Sequence, residues 1–250
     1  MSKLKNQASN INHVLLAAVI IFFIEQLAQI PIDQFKPHNN QNIVNATIAI
    51  ILLGIALYWV YLFIHNNREL DTKHDFYNSV KVVCYNLAIN LFLMQAWAYS
   101  AIKWFNLQTG GTTSNQQAIT SMGHTTFGLM FEWILVVIAG PIVEEFLFRY
   151  AIIQPKYSHG DYQNPNDRKY SPNRIIRLII SILLFAFIHM LVQVLDIKTG
   201  AQVKAAIYGF GQYLIISIIF SLNYFFRNNI KENMVMHIAY NTIAMLLTTV

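Results

Sequence analysis

TFGLMFEWILVVIAGPIVEEFLFRYAII, residues 126–153, decides how the chain is to be read. A bilayer core of about 30 Å takes about 20 residues of helix. This run exceeds that length, and its only charged residues are Glu132, Glu144, Glu145 and Arg149. Pro141 follows Gly140, so a kink is expected there. Comparable apolar runs occupy 13–30, 43–65, 80–105, 175–195, 203–226 and 234–250. Together they predict an all-α fold: a polytopic transmembrane helix bundle of about seven spans.

Composition agrees. Charged residues make up 12% and hydrophobic residues 55% of the 250, whereas soluble domains carry about 25% charged residues. A chain so poor in charge cannot cover a water-facing surface. The net charge of +5 does not point to nucleic acid, because the basic residues fall in short connections between apolar runs. Cys84 is the lone cysteine, which excludes an internal disulfide and a cysteine metal site. The first run lacks a small-residue cleavage pattern and reads as a retained anchor.

Placing the N-terminus in the cytoplasm gives the consistent charge bias. Twelve basic residues then lie inside: Lys3, Lys5, Arg68, Lys73, Lys81, Lys156, Arg168, Lys169, Arg174, Arg177, Arg227 and Lys231. Four lie outside: Lys36, Lys103, Lys198 and Lys204. The expectation is a cytoplasmic N-terminus in the cell membrane, with Trp97 and Trp104 toward the outer interface. Residues 1–250 read as a single membrane domain, with N-terminal helices at 13–105 and a motif-bearing core at 123–250. The stretches 110–117 and 154–173 read as polar connections.

An ionisable side chain in an apolar helix costs a few kcal/mol or more, so it asks for a function and a partner. Glu145 and Arg149 are four apart and share a helix face. Glu144 is turned about 100° away from Glu145. One acid paired with arginine and one left for chemistry is a division of labour that fits. A helix end with a snorkelling arginine fits as well. His189, in Phe185-Ala-Phe-Ile-His189, stands among apolar neighbours. His237 and Asn241 are four apart on one face, as a polar pair joining helices would be. Counted along the helices, His189 lies roughly 20 Å from residue 175, deeper than Glu144 and His237.

The combination favours chemistry. A buried carboxylate is suited to draw a proton from water, a histidine to orient that water, and His237 with Asn241 to donate to an oxyanion. Glu144, His189 and His237 are also legitimate Zn²⁺ ligands, with an open position for water. There is no HExxH pattern. Glu25 and Glu132 are further intramembrane acids, and Asn86, Asn90 and Gln95 recur near one face of the third run. These read as helix contacts or cavity lining. Residues 69–75 read as a solvated loop leading into a helix.

At these residues the sequence resembles the CPBP family, which groups type II CAAX prenyl endopeptidases with bacteriocin-processing and immunity proteins. The resemblance rests on EExxxR (Glu144, Glu145, Arg149), FxxxH (Phe185, His189) and HxxxN (His237, Asn241), in order on successive helices. It covers about 126–245. It implies an intramembrane endopeptidase in which Glu144 and His189 activate water and His237 with Asn241 hold the oxyanion. Glu145 and Arg149 would be a structural pair, with Phe185 in support. The implied partners are membrane lipids and a peptide or protein substrate. A non-catalytic immunity factor, or a scaffold for a cell-envelope enzyme, is the alternative reading. A proton-coupled transporter is a third, and it lacks the repeat symmetry many transporters show.

Overall fold

The computed structural model describes residues 2–32, 41–66, 75–107, 126–153, 172–195 and 197–249. The connections at 110–117 and 154–171 lie outside them, as do 69–74. All regular structure among the described residues is helical. In chain order the elements are α1 (Ser2–Ile32), α2 (Gln41–Asn66), α3 (Phe76–Phe105), α4 (Thr126–Glu132), π1 (Trp133–Ala139), α5 (Gly140–Glu145), π2 (Phe146–Ala151), α6 (Pro172–Leu195), α7 (Gly200–Arg227) and α8 (Ile230–Thr249). Elements α4 to π2 follow one another without a gap, so seven rods occupy the seven expected stretches.

Five of the rods, in α1, α2, α3, α6 and α7, are long and apolar enough to cross a membrane. The other two, 126–153 and α8, fall short of that description for a physical reason. The first changes helix type four times, and the second carries Lys231, Glu232 and Asn233 in its first turn. The result is a multi-pass membrane protein. Its outer surface is a belt of apolar side chains, such as Leu16, Phe23, Ile43, Phe92, Val192 and Leu195, all exposed. Lipid accepts such a surface, and helices satisfy their own backbone groups within it.

Local signals set the helix ends. Asp75, the last residue of the expected loop, caps α3 by accepting from the backbone N–H groups of Tyr77 and Asn78. Thr199 and Gln202 form a capping box at the start of α7. Asn106 and Asn228 close α3 and α7 in the left-handed conformation that asparagine tolerates.

Helix α1 packs along α2, α6 along α7, and α8 against α3, π1 and α5. The main core gathers around π2. Phe146, Phe148, Tyr150, Phe185, Phe220 and Tyr224 are all buried there. A second cluster joins α1, α2 and π1 through Ala28, Ala46, Ala49, Leu53, Leu135 and Ala139. Small side chains let these backbones approach closely, which is how helices associate when lipid removes the hydrophobic drive.

Candidate active site

Glu144 and Glu145 end the short α5, between two π segments. A π turn closes i→i+5 and takes in one residue more than an α turn. Residues after π1 are therefore rotated relative to those before it. The expected disturbance at Pro141 takes this form. In the register of π1 the Val136 carbonyl would look to residue 141 for a donor, and proline has no N–H. Asn241 Nδ2 donates to that carbonyl instead, at 2.8 Å. The amide expected to hold an oxyanion is thus engaged in closing the helix opened by Pro141. One N–H remains for other use.

Glu145 is fully buried and met on every side. Its Oε1 lies 3.2 Å from Arg149 Nη1 and 2.9 Å from His237 Nδ1. Its Oε2 accepts from Asn233 Nδ2 at 3.0 Å. The guanidinium of Arg149 lies over the ring of Phe185, 4.4 Å from the centroid, with Phe220 at 5.7 Å and Phe148 at 5.9 Å. Its Nη2 donates to Ser217 Oγ at 3.4 Å. Ions withdrawn from water cost several kcal/mol each unless paired and hydrogen-bonded. Glu145 meets that condition, while Arg149 is ion-paired and reaches Ser217 but leaves its Nε and Nη1 without a hydrogen bond. The snorkelling alternative does not hold, since Arg149 is 0% exposed.

A line of amides extends the arrangement. Asn233 Nδ2 also donates to the Phe220 carbonyl at 2.7 Å, and its Oδ1 accepts from Asn223 at 2.7 Å. Asn223 Oδ1 in turn accepts from Asn86 at 2.9 Å. Helices α3, α7 and α8 are thereby tied to Glu145. Asn86 and Asn90 point inward as expected, Asn90 being fully buried, while Gln95 is exposed.

Glu144 is less enclosed. Its Oε1 faces His189 Nε2 at 3.6 Å and its Oε2 faces His237 Nε2 at 3.8 Å. Both separations exceed hydrogen-bond length, so the carboxylate is flanked by the two imidazoles without being bonded to either. His189 Nδ1 lies 2.9 Å from the Phe185 carbonyl. A carbonyl only accepts, so Nδ1 carries the hydrogen and Nε2 is the end offered to Glu144. The ring stands between Phe185, 4.3 Å away, and Tyr213, 4.7 Å away. Phe185 is therefore in contact with both the arginine and the histidine.

The difference in depth along the helices disappears by geometry. The two rods run antiparallel: Arg174 Nε donates to the Ile153 carbonyl at 3.1 Å and Ser181 Oγ to the Phe148 carbonyl at 2.6 Å. A helical side chain leans toward the N-terminus of its own helix. On antiparallel rods Glu144 and His189 lean toward each other, and their reach closes the gap.

Glu25 was expected to be a helix contact or part of a cavity wall. It is 2% exposed and turned toward Gly140 and Glu144. The side chain of Glu132 lies outside the described residues. Asn233 was not anticipated, although its signal was present. Asn233, His237 and Asn241 repeat every four residues on one face. Among the described residues, no three His, Cys, Asp or Glu side chains are grouped as a metal ion would require. Glu144, His189 and His237, the residues that would hold a Zn²⁺ ion, are not drawn together into such a group.

The fold and these contacts define a class: a polytopic helical membrane protein with a buried carboxylate–imidazole cluster. The family described as Rce1-like, type II CAAX prenyl endopeptidase, matches residues 126–243. That stretch, just under half of the chain, is similar to this family of CAAX-type intramembrane proteases, and α1 to α3 lie outside the match. No curated protein and no solved structure matches the chain.

Proposed function

We propose that the protein is an intramembrane endopeptidase whose nucleophile is a water activated by Glu144. The observation that carries this reading is the Glu144 carboxylate set between two imidazole Nε2 atoms, 3.6 and 3.8 Å away. Water seated beside Glu144 and His189 gives its proton to the carboxylate as its oxygen adds to the scissile carbonyl carbon. The resulting oxyanion is met by His237 Nε2–H when that ring carries both protons, and by the second N–H of Asn241. As the C–N bond breaks, the amine nitrogen takes up a proton and leaves. Glu145 and Arg149 do no chemistry in this scheme. Glu145, paired with Arg149, holds His237 Nδ1 and so aims its other nitrogen. Phe185 fixes the His189 ring.

The family's description supports a substrate carrying a prenyl group near the cut bond. The test is cleavage of a prenylated C-terminal peptide by the purified protein in liposomes, beside the same peptide without the prenyl group. Glu144→Gln is expected to lower kcat by about 10²- to 10⁴-fold. His237→Ala is expected to lower it by about 10²- to 10³-fold. Cleavage at the normal rate by Glu144→Gln would remove the basis of the proposal. Preference for the unmodified peptide would overturn the substrate class alone.

A further inference from the structure

A second carboxyl group reaches the same space from the N-terminal helices. Glu25, on α1, is 2% exposed. A methyl placed on Gly140 would lie 3.8 Å from Glu25 Oε1 and 3.8 Å from Glu144 Oε1. The two Oε1 atoms are therefore at most twice that distance apart, both beside the Cα of Gly140. The same methyl would come within 2.9 Å of the Leu135 carbonyl oxygen, so any larger residue would force the backbone here to shift.

The two acids have different company. Glu144 has an imidazole near each oxygen. Glu25 Oε2 accepts from the neutral amide of Gln26 at 2.7 Å. The ionisable groups acting on Glu25 are Glu144 from α5 and His189 from α6. Two ionised carboxylates facing each other with little water are costly, and such a pair holds one proton between them. The imidazoles favour the charge on Glu144, which leaves the proton on Glu25.

We propose that Glu25 is the acid that protonates the departing amine, a role that rests on Glu144 being the base. Glu144 gains the proton of the attacking water, and the water oxygen bonds to the carbonyl carbon. The C–N bond then breaks while Glu25 transfers its proton to the nitrogen. The site ends with a protonated Glu144 and an ionised Glu25. One proton passed back, through His189 Nε2 or a water, restores the start. Helix α1, outside the matched stretch, thus completes the reaction.

The test uses the full chain in liposomes and the prenylated peptide. Glu25→Gln preserves shape and removes the proton. It is expected to lower kcat by about 10²- to 10⁴-fold with little change in KM, and to abolish the alkaline fall in kcat. Glu25→Asp is expected to recover part of the rate and the alkaline limb. Loss of rate by the same factor at every pH, with the limb intact, would mark a packing role and overturn the proposal. Infrared difference spectroscopy supplies a readout without turnover. At neutral pH the wild type is expected to show a protonated-carboxyl stretch that Glu25→Gln lacks, and its absence from the wild type would overturn the proposal. Cleavage that requires Glu144 but proceeds normally in Glu25→Gln defeats this inference alone. No cleavage by the wild type defeats the reading of Glu144, and this inference with it.

Discussion

Replacing Arg149 by methionine isolates what the charge pair contributes. The substitution keeps an unbranched apolar side chain against Phe185 and removes the guanidinium. Glu145, 0% exposed, then keeps Asn233 at 3.0 Å and His237 at 2.9 Å as partners. It loses the guanidinium at 3.2 Å. Breaking a buried pair from one side typically costs about 3–5 kcal/mol. The guanidinium over Phe185 adds about 0.5–2 kcal/mol. Against a total stability of about 5–15 kcal/mol, the variant is expected to stand near its unfolding limit. Denaturant unfolding in micelles measures this. The double variant Arg149→Met with Glu145→Gln removes the stranded charge; its amide oxygen can accept from Asn233, and its N–H can donate to His237 Nδ1 in the other tautomer. It is expected to recover most of the loss, because the penalty lies in the unpaired ion. A single variant within about 1 kcal/mol of wild type, or a double variant no better than the single, would refute the reasoning.

Two further outcomes test the packing. Asn241→Ala is expected to cost about 1–3 kcal/mol by leaving the Val136 carbonyl unmet, and Pro141→Ala in that background should restore stability by returning a backbone donor. Thermal unfolding of both variants checks it, and no recovery would separate Asn241 from the proline. Gly211→Ala would drive a methyl into the Trp97 indole, which donates to the Tyr208 carbonyl at 2.9 Å. The overlap is expected to cost about 1–3 kcal/mol, read by the same assay and by a change in the fluorescence of the half-buried Trp97.

Much of this molecule is legible in its chain. Length and hydropathy alone mark the rods, because lipid forces the backbone to satisfy itself within each helix. The four-residue spacing of Glu145 and Arg149 states their pairing, since a helix brings such residues to one face. What spacing cannot express is which rods meet and at what height. His189 and Glu144 are 45 residues apart in the chain, and only the antiparallel lean of their side chains joins them. The π turns rotate α5 by an amount no α period contains, and they leave the carbonyl that engages Asn241. Glu25 gave no sign of its neighbour either. Its approach to Glu144 depends on a hydrogen at Gly140 and on how α1 lies against α5. Those are properties of packed surfaces, and a one-dimensional pattern holds no record of them.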